Sequence, residues 1–504
     1  MTIRGTNALR VAGTSCVKTM KSNTKLGLVL VALIAGAPIL SAATVGVDSL
    51  GALKQAIDKA KPGDRIVVAD GKYTSSGAIP IKKAGTEKQP IVIEARTVGG
   101  VEINGDAGLQ IVSPATFVVI KGFIFTHNAG SMEIAAGAHH CRVTRNVFEL
   151  KVTGRATYMT VDGDDNEIDH NTFRNKKTEG QMLMVQGPGT QMAKRNWIHH
   201  NYFLDFGKGA PNNASGLHVG SSHRSMDSGF TVAECNLFVR NVGENEGAIC
   251  NKSTDNIYRF NTIRDSTELS LRHGHRVQVY GNFMLNSSGL RFFAHDHQIF
   301  SNYFEQCRPA IAIGNGASTI PPGPLTSHQR PDRVKVVYNT LVNNRSNVQM
   351  GGRKEGIGAD DLVFANNIIQ GGNKAVSIAG PLKNPKWEGN IIWKTEGGAG
   401  DMPAEGFREI NPGLVKDDRG VFRLGEGNAA IGKGVGSYPF VTLDIDGQPR
   451  PAEKVDVGAD QFSTEIATNR PLTDADVGPD APQEGDRPII SAPKAQWPAG
   501  ASSR

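Results

Sequence analysis

Four segments between residues 244 and 291 carry side chains that could do chemistry together: Glu244-Asn245-Glu246, Asn251-Lys252-Ser253, Leu271-Arg272-His273 and Leu290-Arg291. Lys252 precedes Arg272 by 20 residues, and Arg272 precedes Arg291 by 19. In a chain that winds at about 20 to 30 residues per turn, these intervals return each side chain to nearly the same face, with turns about 4.8 Å apart. The cations would then form a short ladder beside a carboxylate cluster. Such a ladder suits chemistry on an acidic polymer.

A polyuronide can be cut without water by such a set. A base takes the proton from the carbon next to the carboxylate, and the glycosidic oxygen leaves by β-elimination. Negative charge builds on the substrate carboxylate, so the site must neutralise it before the proton moves. A hard cation such as Ca²⁺ does this while bridging protein oxygens to substrate. Glu244 and Glu246 are an i, i+2 pair that faces one way on an extended segment. Asn213, or its neighbour Asn212, could add an amide oxygen from about one turn earlier. Lys252 is the candidate base; an amine abstracts a proton only when neutral, a state favoured by burial and neighbouring positive charge. Arg272 would sit by the leaving oxygen. A guanidinium does not readily give up a proton, so it stabilises the oxyanion while water or His273 completes the transfer. Arg291 is suited to gripping a second carboxylate. Any one of these residues alone would read as an ordinary solvated charge. Their spacing is what makes them a set.

Two other clusters compete. His273-Gly274-His275 and His295-Asp296-His297 place histidine pairs on a strand face and could hold zinc. Without a Cys/His framework, substrate contacts or ordinary coil residues are the better reading. Asp162-Gly163-Asp164-Asp165 could be the carboxylates of a hydrolase. The companion triplets of polygalacturonase-like helices are missing, however, and adjacent aspartates in a loop usually make turns.

A short phrase recurs along the chain: Asn146-Val-Phe, Asn171-Thr-Phe, Asn201-Tyr-Phe, Asn236-Leu-Phe, Asn261-Thr-Ile, Asn282-Phe-Met, Asn302-Tyr-Phe, Asn339-Thr-Leu, Asn367-Ile-Ile and Asn390-Ile-Ile. Its uneven spacing fits coils whose loops vary in length. Asn tolerates the left-handed backbone of a tight turn, and its amide can bond to the Asn of the next coil. β-rich runs such as Phe117–Ile120, Val277–Tyr280 and Val334–Val337 lie between the phrases. The pattern predicts an all-β, single-domain right-handed parallel β-helix, a solenoid in which stacking supplies the core that no coil has alone.

A solenoid needs closed ends. Asp48 is positioned to cap a helix over 49–60, with Leu50, Leu53, Ala56, Ile57 and Ala60 on one face, as an N-terminal lid. Residues 422–462 read as a terminal coil. From Ser463 to Arg504 the sequence is rich in Pro, Asp, Gly and Ala, and reads as a disordered tail. At the other end, Lys18, Lys21 and Lys25 precede an apolar run from Leu26 to Leu40, and Ser41-Ala42-Ala43 offers a cleavage site. Residues 1–43 therefore read as an export signal, with Met20 an alternative start. The alternative, an uncleaved anchor, is disfavoured by the short run and by Pro38. After cleavage the protein would be periplasmic or secreted, with no membrane association. Cys141, Cys235, Cys250 and Cys307 would remain; export permits disulfides among them, but they are too scattered for a stapled framework, and burial as unpaired thiols inside a coil is the equal alternative. A net charge of +6 over 504 residues, with no basic tail, argues against a nucleic-acid partner and leaves room for a local cationic groove.

With these residues in place, the chain resembles polysaccharide lyase family 6, the chondroitinase B and alginate lyase family. The likeness opens at Leu53–Tyr73 ("LKQAIDKAKPGDRIVVADGKY") and closes at Asp444–Phe462 ("DIDGQPRPAEKVDVGADQF"). Its centre is Asn251–Gly274, "NKSTDNIYRFNTIRDSTELSLRHG". The resemblance implies Ca²⁺-dependent β-elimination, with Lys252 as base, Arg272 as acid, and Asn213, Glu244 and Glu246 at the metal. It places His273 and Arg291 at the substrate, and His295 joins them as a candidate substrate contact. The chain departs from the family in spacing: one residue longer from the Glu pair to Lys252, and one shorter from Lys252 to Arg272. The stretch Asn212–Ser222 matches poorly. The expected activity is eliminative depolymerisation of alginate, an anionic polysaccharide. Chondroitin or dermatan sulfate is the alternative substrate within the family. From another class, a non-catalytic polysaccharide-binding β-helix of adhesin or tail-spike type would leave the polymer intact, a hydrolase would add water, and an epimerase would change composition without shortening the chain.

Overall fold

The computed structural model describes residues 42–207, 214–243, 247–319, 328–465, 467 and 469–482. All but the last two residues of the expected export signal lie outside the described residues. Among the described residues no helix is long and apolar enough to cross a membrane.

Each turn of the chain contributes three short strands, and like strands stack in parallel into sheets of 14, 14 and 12 strands. Sheet A runs from Thr44–Val47 to Lys386–Glu388, sheet B from Gly71–Ser75 to Phe407–Glu409, and sheet C from Ile79–Ile81 to Val376–Ile378. This is the right-handed parallel β-helix that the repeated phrase predicts. Alternate residues of each strand point inward, as in Ile91–Ala95, where Ile91, Ile93 and Ala95 are buried. The inward phenylalanines of four consecutive phrases, Phe148, Phe173, Phe203 and Phe238, stack as a column with Phe125 of the preceding coil, with ring centroids 4.5 to 5.2 Å apart. Such pairs contribute about 0.5–1.5 kcal/mol each beyond area burial.

The ten asparagines form one ladder at the corner between sheets A and B. The side-chain amide of each, from Asn146 to Asn367, donates to the Oδ1 of the next at 2.9 to 3.0 Å, ending at Asn390. Every rung is buried, so the ladder satisfies polar groups that could not otherwise reach water. The left-handed residue, however, is the one before each asparagine, among them Arg145, His170, Cys235, Phe260 and Tyr338 at φ 51 to 55°. The turn places its positive φ one position earlier, and the asparagine amide is aimed along the stack.

Helix Leu50–Lys59 closes the N-terminal end, with Leu53 and Ile57 buried in the core. Its cap is Ser49 and not Asp48: the Ser49 hydroxyl accepts the Ala52 N–H at 3.2 Å, because Ser49 is the last extended residue, at φ −150° and ψ 156°. At the far end, residues 413–462 do not form a further coil. They leave the solenoid and lie along its outside. Tyr438, Phe440, Val441 and Leu443 pack on Tyr280, Phe300 and Val337 of sheet A, while Val421, Ile445 and Ala459 pack on Phe283, Tyr303 and Val342 of sheet B. Order extends into the stretch expected as a tail. Leu472 and Val477 pack on Leu237 and Val239, and Arg145 donates to the Pro479 and Ala481 carbonyls. Two apolar anchors and a buried guanidinium hold a segment whose composition alone reads as unstructured. Residues 483–504 lie outside the described residues. Cys141, Cys235, Cys250 and Cys307 form no disulfide, and burial pushes the Cys141 thiol up to about 12 and that of Cys307 to about 11.

One buried histidine predicts an acid limit to stability. His297 accepts the Val277 N–H at Nδ1 (3.1 Å) and donates from Nε2 to the Phe293 carbonyl (2.6 Å), so the neutral ring satisfies both partners. Burial pushes its pKa down to about 3. The unfolded chain then binds a proton at about pH 6.5 that the folded chain refuses, so stability is lost as pH falls below that value. At pH 5 this group alone removes about 2 kcal/mol. Urea unfolding of wild type and His297→Gln at pH 7.5 and pH 5 should show a smaller acid loss in the variant.

Candidate active site on the outward face of sheet C

The C-terminal segment packs its apolar residues on sheets A and B, whereas sheet C turns a row of polar and small side chains outward. Inside, the strands Ser215–Gly220, Ile249–Lys252, Leu269–His273 and Leu290–Phe292 bury Leu217, Ile249, Leu269 and Leu290 in register. Outside, the matching row is His218, Cys250, Ser270, Arg291, Ala312 and Gln349.

The expected ladder of Lys252, Arg272 and Arg291 is modified by a bulge. Asn251 pairs with Leu271, but Lys252 pairs with His273, so the register shifts and Arg272 is the extra residue. Arg291 is level with Ser270 and not with Arg272. It accordingly donates to Ser270 Oγ from Nε and Nη2 (3.3 and 3.2 Å) and pairs with Glu268 at 2.9 Å. Two glycines admit the bulged backbone. A Cβ on Gly220 (φ +89°) would lie 2.5 Å from the Lys252 carbonyl oxygen, and one on Gly274 (φ +89°) 2.1 Å from that of Ser253. Asn251 clamps the same segment from within. Its Nδ2 donates to the carbonyls of Ser253 and His273, both at 2.8 Å, and its Oδ1 accepts from Asn256 Nδ2 and Tyr258 OH, both at 2.9 Å.

Arg272 is held by a residue that no spacing revealed. His328, 56 positions after Arg272, accepts the Arg272 Nε–H at its Nε2, 3.0 Å away. Its ring is stacked between Phe293 (4.2 Å) and His273 (5.4 Å). Burial first, and then the charges of Arg272, Arg291, Arg353 and Lys252, push its pKa down to about 3. Burial and nearby positive charge keep the imidazole neutral, with Nε2 accepting the Arg272 Nε–H and the proton on Nδ1. Lys252 is 9 % exposed and Arg272 is half-buried on the outward side. His328 and Arg353 are the site residues that sequence reasoning missed.

His295 belongs to a neighbouring group. It stacks on His275 at 4.6 Å, and its pKa is pushed down to about 4 by burial and then by His275. His275 Nε2 donates to Gln329 Oε1 at 2.9 Å, which ties this pair to the segment carrying His328. The aspartates 162, 164 and 165 make turns at another corner: Asp162 and Asp164 accept the Gly187 and Lys194 N–H groups, and Asp165 takes Arg195 in a two-point pair at 2.7 Å.

Asn213, Glu244 and Glu246, and Asn212 with them, lie outside the described residues. Their described flanks are in contact: a Cβ on Gly243 would come 2.8 Å from the Ala214 Cβ. Both segments lead directly into paired strands of sheet C, the second of which carries Lys252. Two carboxylates and an amide form an all-oxygen donor set, which fits a hard cation such as Ca²⁺. Two other groups with metal-binding side chains occur among the described residues, and neither is on sheet C. In Asp169-His170-His199, the Asp169 carboxylate is already taken by Arg142, Thr144 and His170 at 2.7 to 2.9 Å. In Asp444-Asp446-Asp460, Asp444 accepts three backbone N–H groups and Arg423 pairs with Asp446.

Residues 47–394 match the family model described as Chondroitinase B. No curated protein sequence matches the chain. Among solved structures, the chain is similar to the PL6 family alginate lyase AlyGC (24% identity, TM-score 0.67), covering 80% of this chain and 60% of that one. It is also similar to a mannuronic acid specific family 6 lyase from human gut microbiota (24% identity, TM-score 0.63; 70% and 87% covered). A third is a PL6 alginate lyase in complex with a trisaccharide (18% identity, TM-score 0.65; 88% and 96% covered). At these identities the likeness establishes the fold. The chain spans about three fifths of the length of AlyGC.

Proposed function

Because the chain belongs to the chondroitinase B family of polysaccharide lyases, we propose that it is an exported enzyme that depolymerises alginate by β-elimination, leaving an unsaturated uronate at the new end. The observation that carries this reading is the placement of Lys252, Arg272 and Arg291 on successive strands of sheet C, with Arg272 held by His328. The alginate-cleaving neighbours support a uronate polymer as substrate, and the hydrophobic N-terminal run supports export to the periplasm or beyond.

In this reading the polymer lies along sheet C. Arg291, anchored by Ser270 and Glu268, meets a substrate carboxylate. Lys252 removes the proton on C5, the C5–H electrons become the C4–C5 double bond, and the C4–O bond breaks. Arg272 faces the departing oxygen and stabilises its charge, while water or His273 returns a proton to it. No water is consumed. Ca²⁺ held by Asn213, Glu244 and Glu246 would supply neutralising charge at the carboxylate next to C5. Chelation should therefore lower activity, and added Ca²⁺ should restore it; a dialysed enzyme indifferent to chelator would remove that metal site.

His328 sets the direction of Arg272 without touching the reacting atoms. His328→Phe keeps the stack on Phe293 but loses the acceptor, so kcat should fall about tenfold or more with KM nearly unchanged. His328→Gln, which retains an acceptor, should recover part of the loss. Since His328 stays neutral down to about pH 3, its titration should leave no mark on the rate profile between pH 5 and 8. A panel of mannuronate and guluronate blocks, dermatan sulfate and pectate tests the substrate. Ultraviolet absorption from the conjugated product should grow on alginate; cleavage of dermatan sulfate alone would move the assignment to the sulfated polymer, and no absorbance on any substrate would favour a binding module.

A further inference from the structure

Beyond Arg291 the outward row of sheet C continues through Ala312, Gln349 and Ser377, each one coil further on. Gln349 and Ser377 form the floor of a cleft of about 550 Å³ whose walls carry Arg308, Arg345 and Lys374. The three lie on the turns that enter successive sheet C strands, Arg308 and Arg345 three residues before Ile311–Ile313 and Val348–Met350, and Lys374 two residues before Val376–Ile378. All three are exposed, and no carboxylate lines the cleft. Arg308 and Arg345 also line an adjoining cavity, which Glu396 shares. Arg308 is oriented by Asn286, whose Oδ1 accepts from Nη2 at 2.8 Å.

Three stacked cations with no acid among them form a strip of positive potential that favours a regularly spaced anion. The strip spans one to three coils beyond Arg291, or about 5 to 14 Å at about 4.8 Å per coil. That is the scale of a few sugar residues. Ala312, with only a methyl group in the row, leaves the path from Arg291 toward Gln349 open. We propose that Arg308, Arg345 and Lys374 form a distal subsite that holds carboxylates of the same polyuronate chain on the sugars beyond the one gripped by Arg291. This rests on the polyuronate reading above and adds to it a preference for long chains.

The test compares wild type with the triple variant Arg308→Ala, Arg345→Ala, Lys374→Ala on polymeric alginate and on short oligouronates that cannot span both places. The substitutions are at exposed turns, and thermal unfolding checks that the fold is kept. On polymer, KM should rise about tenfold in the variant, corresponding to the loss of several screened surface contacts. On short oligouronates kcat and KM should stay as in wild type, and the salt sensitivity of KM on polymer should weaken. An unchanged KM on polymer overturns the subsite and leaves the lyase reading standing. An equal loss on short and long substrates also overturns it, by placing these residues at the reacting centre. Failure of the wild type to cut any uronate polymer overturns both.

Discussion

Lys252→Ala should lower kcat on alginate by about a thousandfold or more, the contribution expected of a positioned base, and leave the folded state intact. Lys252 closes the strand Ile249–Lys252, whose inward residues Ile249 and Asn251 carry the packing and the hydrogen bonds. Circular dichroism and the unfolding midpoint should therefore be those of wild type. The surrounding positive charge remains in the variant, so KM should change little. A folded Lys252→Ala enzyme that keeps its turnover would contradict the assignment of the base.

Arg272→Ala should cost about a hundredfold or more in kcat, as removal of a charged donor from a developing oxyanion does. Arg272→Lys should recover only part of this, because a lysine keeps the charge but cannot bond to His328 through an Nε while presenting a planar fork. The same substitution has a second readout. Arg272 is the largest of the charges that depress the His328 pKa, so its loss should move that pKa upward from about 3, measurable by NMR titration of the ring. A catalytic loss without that upward move would show that Arg272 acts elsewhere than beside His328.

Much of the fold was legible because its repeat is chemical as well as geometric. An asparagine must satisfy the same buried corner in every coil, so the ladder from Asn146 to Asn390 is written as a recurring letter. The strand carrying Lys252 and that carrying Arg272 were legible for the same reason, as neighbouring coils of sheet C. Residue counting could not see the bulge that puts Lys252 opposite His273, since one inserted residue is lost in the natural variation of coil length. His328 was hidden because it follows a long connection between coils and meets Arg272 only through tertiary folding. The outer wrapping by residues 413–482 was missed because a few anchors such as Val421, Ile445 and Val477 suffice to hold it, and these do not make a periodic pattern.

Mass spectrometry of the alginate digest tests the central claim most directly. If Lys252 and its neighbours break the chain by elimination, every cut yields one fragment with an unsaturated non-reducing end, lighter by one water than the corresponding hydrolysis product. Fragments that are all saturated and carry the full hydrolytic mass would identify a hydrolase and contradict the account.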